Sequence, residues 1–281
     1  MLLCDTHADT LYSLAQPGCD PAMLHVTPAR LLSPGVTRVQ VLALWTGPTG
    51  LRDDADLIAR ELLAFESLRA QGCRQICGLE EAVADAPNLM LSIEGGEAFH
   101  SGVAAVDRYA ELGVRIAALC WNNPNLLGVP ASVGEEGGLT DFGRDVIRRM
   151  NERRMAIDVS HMNAPTMLES VAVSRAPVMA SHSCARALCD HCRNLTDAQL
   201  HALFESGGYV GVNFYPAFLN ETGKASADDV LRHIERMLAL GGGGQIGFGS
   251  DFDGIESVPE GLENALSLPA FVERLAKALG P

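Results

Sequence analysis

The chain has 281 residues, of which 47% are apolar and 20% are charged. This length suits about two average domains or one (β/α)8 barrel of about 250 residues, and the apolar fraction excludes a disordered chain. The formal net charge of −14 argues against general binding to nucleic acid or to an anionic membrane surface.

Short apolar segments typical of buried parallel strands recur along the chain, at residues 2–7, 36–45, 89–94, 115–121, 156–161, 177–182, 209–215 and 245–251. Helical patterns occupy most of the intervals, at residues 53–71, 141–152, 164–173, 197–205 and 228–240. Thr140 and Thr196 are suitable N-caps for two of these helices. Strands that alternate with helices indicate βαβ units, and eight of them predict one α/β domain, a (β/α)8 TIM barrel over residues 1–281.

Targeting signals are not evident in this sequence. It has no basic N-terminal region followed by an apolar stretch, no apolar run of about 18 residues and no hydrophobic C-terminal tail. We therefore expect a cytoplasmic protein whose eight cysteines are reduced thiols. The Cys189–Cys192 pair lacks the second pair that a zinc finger needs, and it lies too late in the chain for a thioredoxin motif.

Polar residues cluster at the carboxyl ends of the predicted strands. They are His7 and Asp9 at the end of the first strand, Glu94 at the end of the third, His161 and His182 at the ends of the fifth and sixth, and Asp251 at the end of the eighth. The carboxyl ends of barrel strands share one rim, where the active sites of such barrels lie. We therefore predict that these side chains converge.

Five of these residues are candidate metal ligands, because histidine and carboxylate suit zinc or a similar divalent metal. A spacing of two puts His7 and Asp9 on one strand face, so they can hold one ion. His161 and His182 can hold a second ion, and the two oxygens of Glu94 can bridge both. Five ligands are too many for one catalytic zinc, but they fit two divalent metal ions, with Zn²⁺ favoured.

Asp251 is the predicted catalytic residue, because a carboxylate beside two metal ions can take a proton from water and pass it to a leaving amine. Asp253 shares the strand face of Asp251 but comes later in the chain, so Asp251 is preferred as the catalytic residue. Asp158 is interpreted as a residue that orients a metal-binding histidine. Four other histidines are interpreted as surface residues: His25, His100, His201 and His233.

Seven segments occur in the order found in a known family: residues 5–9 (DTHAD), 93–96 (IEGG), 157–161 (IDVSH), 175–183 (RAPVMASHS), 192–194 (CRN), 212–215 (VNFY) and 247–254 (GFGSDFDG). With them the chain resembles the renal or membrane dipeptidases, binuclear zinc peptidases of the amidohydrolase superfamily. The resemblance implies the same ligand set: His7 and Asp9 on one zinc, His161 and His182 on the other, Glu94 between them, and Asp251 as the proton carrier.

The resemblance also implies three substrate-binding residues. Arg193 matches the family arginine that engages a substrate carboxylate, for which a guanidinium is well suited, and Tyr215 ends a matching segment. Trp121 stands where animal members carry a substrate-contacting histidine, so polarisation of the carbonyl by that histidine is not assumed. Longer members continue past the position of Pro281, so we expect different dimer contacts and a different pocket wall.

Together these features predict a metal-dependent dipeptidase. It would hydrolyse the peptide bond of short dipeptides, L,D-dipeptides among them, with a hydroxide bridging two zinc ions. The predicted partner is a small peptide substrate, and a homodimer is a family-level expectation. Two alternatives stay open: an amidohydrolase acting on another small amide or lactone, such as N-acyl amino acids, and a catalytically inactive metal-binding homologue.

Overall fold

One closed parallel barrel organises the described part of the chain. The computed structural model describes residues 1–47 and 53–280; residues 48–52 and 281, which the predicted domain includes, lie outside them. The strands are β1 (Leu2–Asp5), β2 (Thr37–Trp45), β3 (Arg74–Gln75), β4 (Asn88–Glu94), β5 (Val114–Ala118), β6 (Ala156–Asp158), β7 (Met179–Ala180), β8 (Tyr209–Val212) and β9 (Ile246–Phe248). Parallel pairing runs β1-β2-β4-β5-β6-β7-β8-β9 and back to β1. This circuit of eight strands confirms the (β/α)8 barrel.

The helices lie between the strands. They are α1 (Thr10–Ala15), α2 (Asp53–Ala70), α3 (Ala105–Glu111), α4 (Asp141–Glu152), α5 (Ala164–Val173), α6 (Asp197–Glu205), α7 (Pro216–Leu219), α8 (Ala227–Ala239) and α9 (Leu268–Leu279). Both predicted N-caps are confirmed: Thr140 accepts a hydrogen bond from the Gly143 N–H, and Thr196 forms a capping box with Gln199. Among the described residues, no helix is long and apolar enough to cross a membrane.

β2 shows how the barrel divides its core. Val39 and Val41 belong to a small buried cluster, whereas Leu42 and Leu44 belong to the large one. Side chains at odd and even positions of a strand point to opposite faces, so the two valines lie on one face of β2 and the two leucines on the other. A strand that is buried on both faces explains the near-continuous apolar runs of the sequence.

Several strands end before their predicted limits, and the residues just beyond them form the site. β6 ends at Asp158 rather than at residue 161, and β9 ends at Phe248 rather than at residue 251. His161 has a φ of 71° and Asp251 a φ of 62°. This left-handed conformation cannot continue a strand, so the chain turns at these positions.

Candidate active site

A cleft of about 510 Å³ opens at the carboxyl ends of the barrel strands. Seven of the nine residues predicted for the site line it: Asp9, Glu94, Trp121, His161, Arg193, Tyr215 and Asp251. The other two, His7 and His182, are buried and contact the lining residues. The structure therefore brings together all nine side chains.

His7 faces three carboxylates. Its Nε2 atom lies 3.5 Å from Asp9 Oδ2, 3.8 Å from Glu94 Oε1 and 3.7 Å from Asp251 Oδ1. Burial lowers the pKa of His7, but the negative charges of the three carboxylates outweigh it and raise that pKa to about 10. His7 Nε2 and Asp9 Oδ1 are buried without a hydrogen-bond partner. The three carboxylates therefore carry more negative charge than a single protonated His7 can neutralise.

Two further histidines converge on Glu94. Glu94 Oε1 lies 2.9 Å from His161 Nε2 and 3.4 Å from His182 Nε2, and the two nitrogens are 3.0 Å apart. Burial, together with the positive charges of Arg193 and His7, holds the pKa of both imidazoles well below the usual value. Both rings are therefore neutral, which is the form that binds metal ions.

Hydrogen bonds at Nδ1 leave both Nε2 atoms free as ligands. His161 Nδ1 lies 2.9 Å from Asn122 Oδ1, an oxygen that can only accept, so this nitrogen carries the proton. Ser181 donates its hydroxyl proton to Asp158 and therefore accepts from His182 Nδ1, at 2.7 Å. Asp158 thus acts on His182 through Ser181. Asn122 was missed by the sequence analysis, and its only signal was the adjacent Trp121.

The donor set fits divalent cations. Two Zn–N bonds of about 2.0–2.1 Å at a tetrahedral angle place the nitrogens roughly 3.3 Å apart, close to the 3.0 Å between His161 and His182. Two sets of three residues also have ligand atoms within 4.8 Å of one another: His7, Glu94 and His182, and His7, Asp9 and Asp251. His7 belongs to both sets, so the candidate ligands form one continuous cluster.

Unusual backbone conformations concentrate at this cluster. Among the described residues, five non-glycine residues have positive φ, and three of them are His161, Asp251 and Asp253. Each such residue costs about 1–3 kcal/mol unless its surroundings compensate. Gly254 is also constrained, because an added Cβ would lie 2.0 Å from Asp9 Oδ2. The backbone at these positions is therefore held in costly conformations that keep the side chains of the cluster in place.

Asp251 has one oxygen committed and one available. Its Oδ2 accepts a hydrogen bond of 2.9 Å from Asn213 Nδ2, while Oδ1 points toward His7. Burial and the charge of Asp9 raise the pKa of Asp251 to about 6, although His7 acts in the opposite direction. A carboxyl group with a pKa close to neutrality can both accept and release a proton.

Asp253 has a different role. Its carboxylate accepts hydrogen bonds from Thr10 Oγ1 (2.7 Å) and from the backbone N–H groups of His25 (2.5 Å) and Val26 (3.3 Å). These bonds attach the start of α1 and the segment after it to the segment after β9. Both oxygens are therefore occupied, which agrees with the preference for Asp251.

Arg193 is a buried cation at the cleft wall. Only 6% of it is exposed, and within the described ranges no carboxylate lies within 4.0 Å of its guanidinium group. Its Cζ atom lies 5.7 Å from the centroid of the Phe218 ring. Tyr215 packs against the same ring, at 5.0 Å between centroids. Such a cation is a suitable site for a substrate carboxylate.

The predicted surface position of His233 is wrong, and the structure adds detail on the Cys189–Cys192 pair. His233 is fully buried rather than at the surface: its Nδ1 accepts from the Ala185 N–H, and its Nε2 donates to the Leu219 carbonyl. Cys189 is buried and Cys192 is exposed at the cleft, and neither forms a disulfide.

Comparison with known proteins identifies the family. A family model described as membrane dipeptidase (peptidase family M19) matches residues 1–280. The chain belongs to this family. The resemblance inferred from the seven segments is therefore confirmed.

Individual relatives agree with this assignment. An uncharacterized Klebsiella pneumoniae protein from the pqqA 5' region is 35% identical over 78% of this chain and 84% of its own length. An uncharacterized dipeptidase of Schizosaccharomyces pombe is 38% identical over 67% of this chain but only 47% of its own length. A Rhodobacter sphaeroides metallo peptidase, solved with a phosphinate mimic of the dipeptide L-Ala-D-Ala, superposes with a TM-score of 0.85 at 26% identity and covers all of this chain and 93% of that one.

Proposed function

We propose that this protein is a metal-dependent dipeptidase that hydrolyses the peptide bond of short dipeptides, L,D-dipeptides among them. The observation that carries the proposal is the convergence of five candidate ligands on one rim, beside a buried arginine that has no carboxylate within 4.0 Å among the described residues. The dipeptide mimic in the Rhodobacter sphaeroides relative supports a substrate of the L-Ala-D-Ala type.

The five ligands would hold two divalent ions, with Zn²⁺ as the metal. His7 and Asp9 would hold one ion, His161 and His182 the other, and Glu94 would contact both. When bound, such ions supply Lewis acidity for the scissile carbonyl and lower the pKa of water. The neutral rings of His161 and His182 and the surplus of carboxylates around His7 support this assignment.

Arg193 binds the C-terminal carboxylate of the substrate through two parallel hydrogen bonds. Tyr215 and Phe218 flank this position and limit its width. A peptide extended beyond its second residue at the C-terminus would carry a neutral amide where Arg193 requires a negative charge. This requirement limits the substrate to one residue after the scissile bond.

Asp251 transfers the proton of the reaction. Its free Oδ1 accepts a proton from the attacking water, and the same oxygen returns that proton to the leaving amine. The hydrogen bond from Asn213 fixes the carboxylate plane during both steps.

An assay on the zinc-loaded enzyme tests the proposal. Dipeptides, including L,D pairs, are compared with N-acyl amino acids and lactones, and bound metal is counted. Asp251→Asn should lower kcat by about 10²–10⁴-fold while the protein still binds metal. His161→Ala should lose metal and activity, whereas the matched control His201→Ala, on the exposed face of α6, should keep both.

Three results would contradict the proposal in distinguishable ways. Cleavage of N-acyl amino acids alone would replace the dipeptidase with an amidohydrolase. Bound metal without hydrolysis of any substrate would indicate an inactive homologue. Full activity of a metal-free His161→Ala variant would remove the metal site itself.

A further inference from the structure

The cleft has two chemically different halves. In barrel order, β1, β2, β4 and β5 form one half, and β6, β7, β8 and β9 form the other. The segments after β7 and β8 contribute Arg193 and Tyr215, which are polar groups for the substrate carboxylate. The other half contributes Tyr12 of α1, Trp45 at the end of β2 and Trp121 just after β5. We call these three residues the aromatic wall.

The aromatic wall is a continuous surface. The centroids of Tyr12 and Trp45 are 4.8 Å apart at 85°, and those of Trp45 and Trp121 are 4.9 Å apart at 70°. These edge-to-face contacts fix the rings relative to one another. Trp45 and Trp121 are also the two tryptophans of the whole chain, and both keep part of their surface open to the cleft.

The aromatic wall lies beside the candidate metal cluster. The Trp121 ring is 6.2 Å from the ring of His161. A dipeptide whose C-terminal carboxylate is bound by Arg193 has its scissile bond over the cluster. Its N-terminal residue must then extend toward the opposite half of the cleft, where the aromatic wall stands.

We propose that the aromatic wall binds the side chain of the N-terminal residue and selects bulky apolar side chains, above all aromatic ones. This inference rests on the proposed dipeptidase function, because Arg193 sets the direction of the substrate. Rigid aromatic rings provide a large apolar contact area at little entropic cost.

Charge argues against a cationic side chain at this position. Among the described residues that line this half of the cleft, the carboxylates are Asp9 and Glu94, and both are assigned to metal ions. Within the described part of the cleft lining, this half therefore offers no carboxylate outside the metal cluster to pair with lysine or arginine. For a lysine or arginine side chain, the cation–π attraction to the rings would have to offset the free-energy cost of removing water from the charged group.

A substrate series with a constant C-terminal residue tests the inference. The metal-loaded enzyme is assayed with X-D-Ala, where X is L-alanine, L-leucine, L-phenylalanine or L-lysine. We expect kcat/KM for phenylalanine to exceed that for alanine by about 10- to 100-fold. Trp121→Ala should reduce this ratio to about 3 or less, and Trp121→Phe should restore most of it. Leu126→Ala, at an exposed position of the same loop, should keep the ratio.

Inhibition of the unaltered enzyme gives a second measurement that does not depend on variants. Phosphinate mimics with an N-terminal phenylalanine should bind about 10-fold or more tightly than those with alanine. Equal hydrolysis of alanine and phenylalanine substrates, equal inhibition by both mimics, or a preference for lysine would overturn the inference and leave the dipeptidase function standing. Failure to hydrolyse or bind any dipeptide would instead overturn the proposed function.

Discussion

Single hydrogen bonds decide which histidine nitrogen is available to a metal ion. His161 and His182 use different partners for the same purpose: an amide oxygen of Asn122 in one case, and the Ser181 hydroxyl backed by Asp158 in the other. Each partner fixes the proton on Nδ1 and leaves the Nε2 lone pair facing Glu94. Partners of this kind affect metal affinity about as strongly as some ligands do.

Replacing Asn122 should therefore weaken metal binding without removing a ligand. We expect Asn122→Leu, which is similar in size but cannot accept the His161 proton, to lower zinc affinity by about 10- to 100-fold. Asn122→Asp keeps an acceptor and should restore the affinity. Competition with a chromophoric chelator measures it, and circular dichroism confirms folding. Equal zinc affinity in the leucine variant and the unaltered protein would show that Asn122 has no such role.

Residues directly after apolar runs were accessible to sequence analysis, whereas others were not. His7 and Glu94 stand at strand ends, so barrel topology alone places them together. Asn122 meets His161 only because of the path of the loop after β5, and the contact spans 39 residues of sequence. His233 was misplaced because its helical pattern does not show what covers it: the loop at Ala185 and the end of α7 at Leu219.

The contact between α2 and the end of β2 contains a buried acid. Glu61 of α2 is fully buried, and its Oε1 accepts a hydrogen bond of 3.2 Å from the Trp45 N–H. Its Oε2 has no hydrogen-bond partner within the described ranges. Burial, reinforced by the negative charges of Asp9 and Glu94, raises the pKa of Glu61 to about 9. Glu61 is therefore neutral in the folded protein at pH 7.

Glu61 should make the protein less stable as pH rises. Above its ordinary pKa of 4.5, the unfolded chain releases the proton that the folded chain keeps. The free energy of unfolding then falls, by at most about 1.4 kcal/mol per pH unit, until the folded protein also ionises near pH 9. Glu61→Gln removes this titration, so its advantage over the unaltered protein should grow between pH 5 and pH 8.

Urea unfolding at several pH values measures this effect. Glu66→Gln is the matched control, because Glu66 lies on the same helix but is exposed and paired with Arg69. Its stability should follow the pH dependence of the unaltered protein. Parallel curves for Glu61→Gln and the unaltered protein would contradict a buried neutral Glu61.

On the scale of the whole molecule, the candidate metal cluster joins elements that are distant in sequence. Its ligands lie at the end of β4 and just after β1, β6 and β7, and Asp251 lies just after β9. Burial, together with the negative charges of Asp9 and Asp251, raises the pKa of Glu94 well above its usual value. Most of the residues that produce the net charge of −14 lie at the surface. Without cations, these three carboxylates instead repel one another at the carboxyl ends of the strands, which destabilises the folded barrel.

Metal removal should therefore destabilise the entire barrel. Ions present at about 100 times their Kd stabilise the folded state by about 2.7 kcal/mol. For a domain of this size that free energy corresponds to a Tm decrease of roughly 5–10 °C when a chelator strips the metal. The decrease should vanish in His161→Ala, which lacks a ligand, and persist in His201→Ala. An unchanged Tm after verified removal of bound metal would show that the cluster does not stabilise the fold.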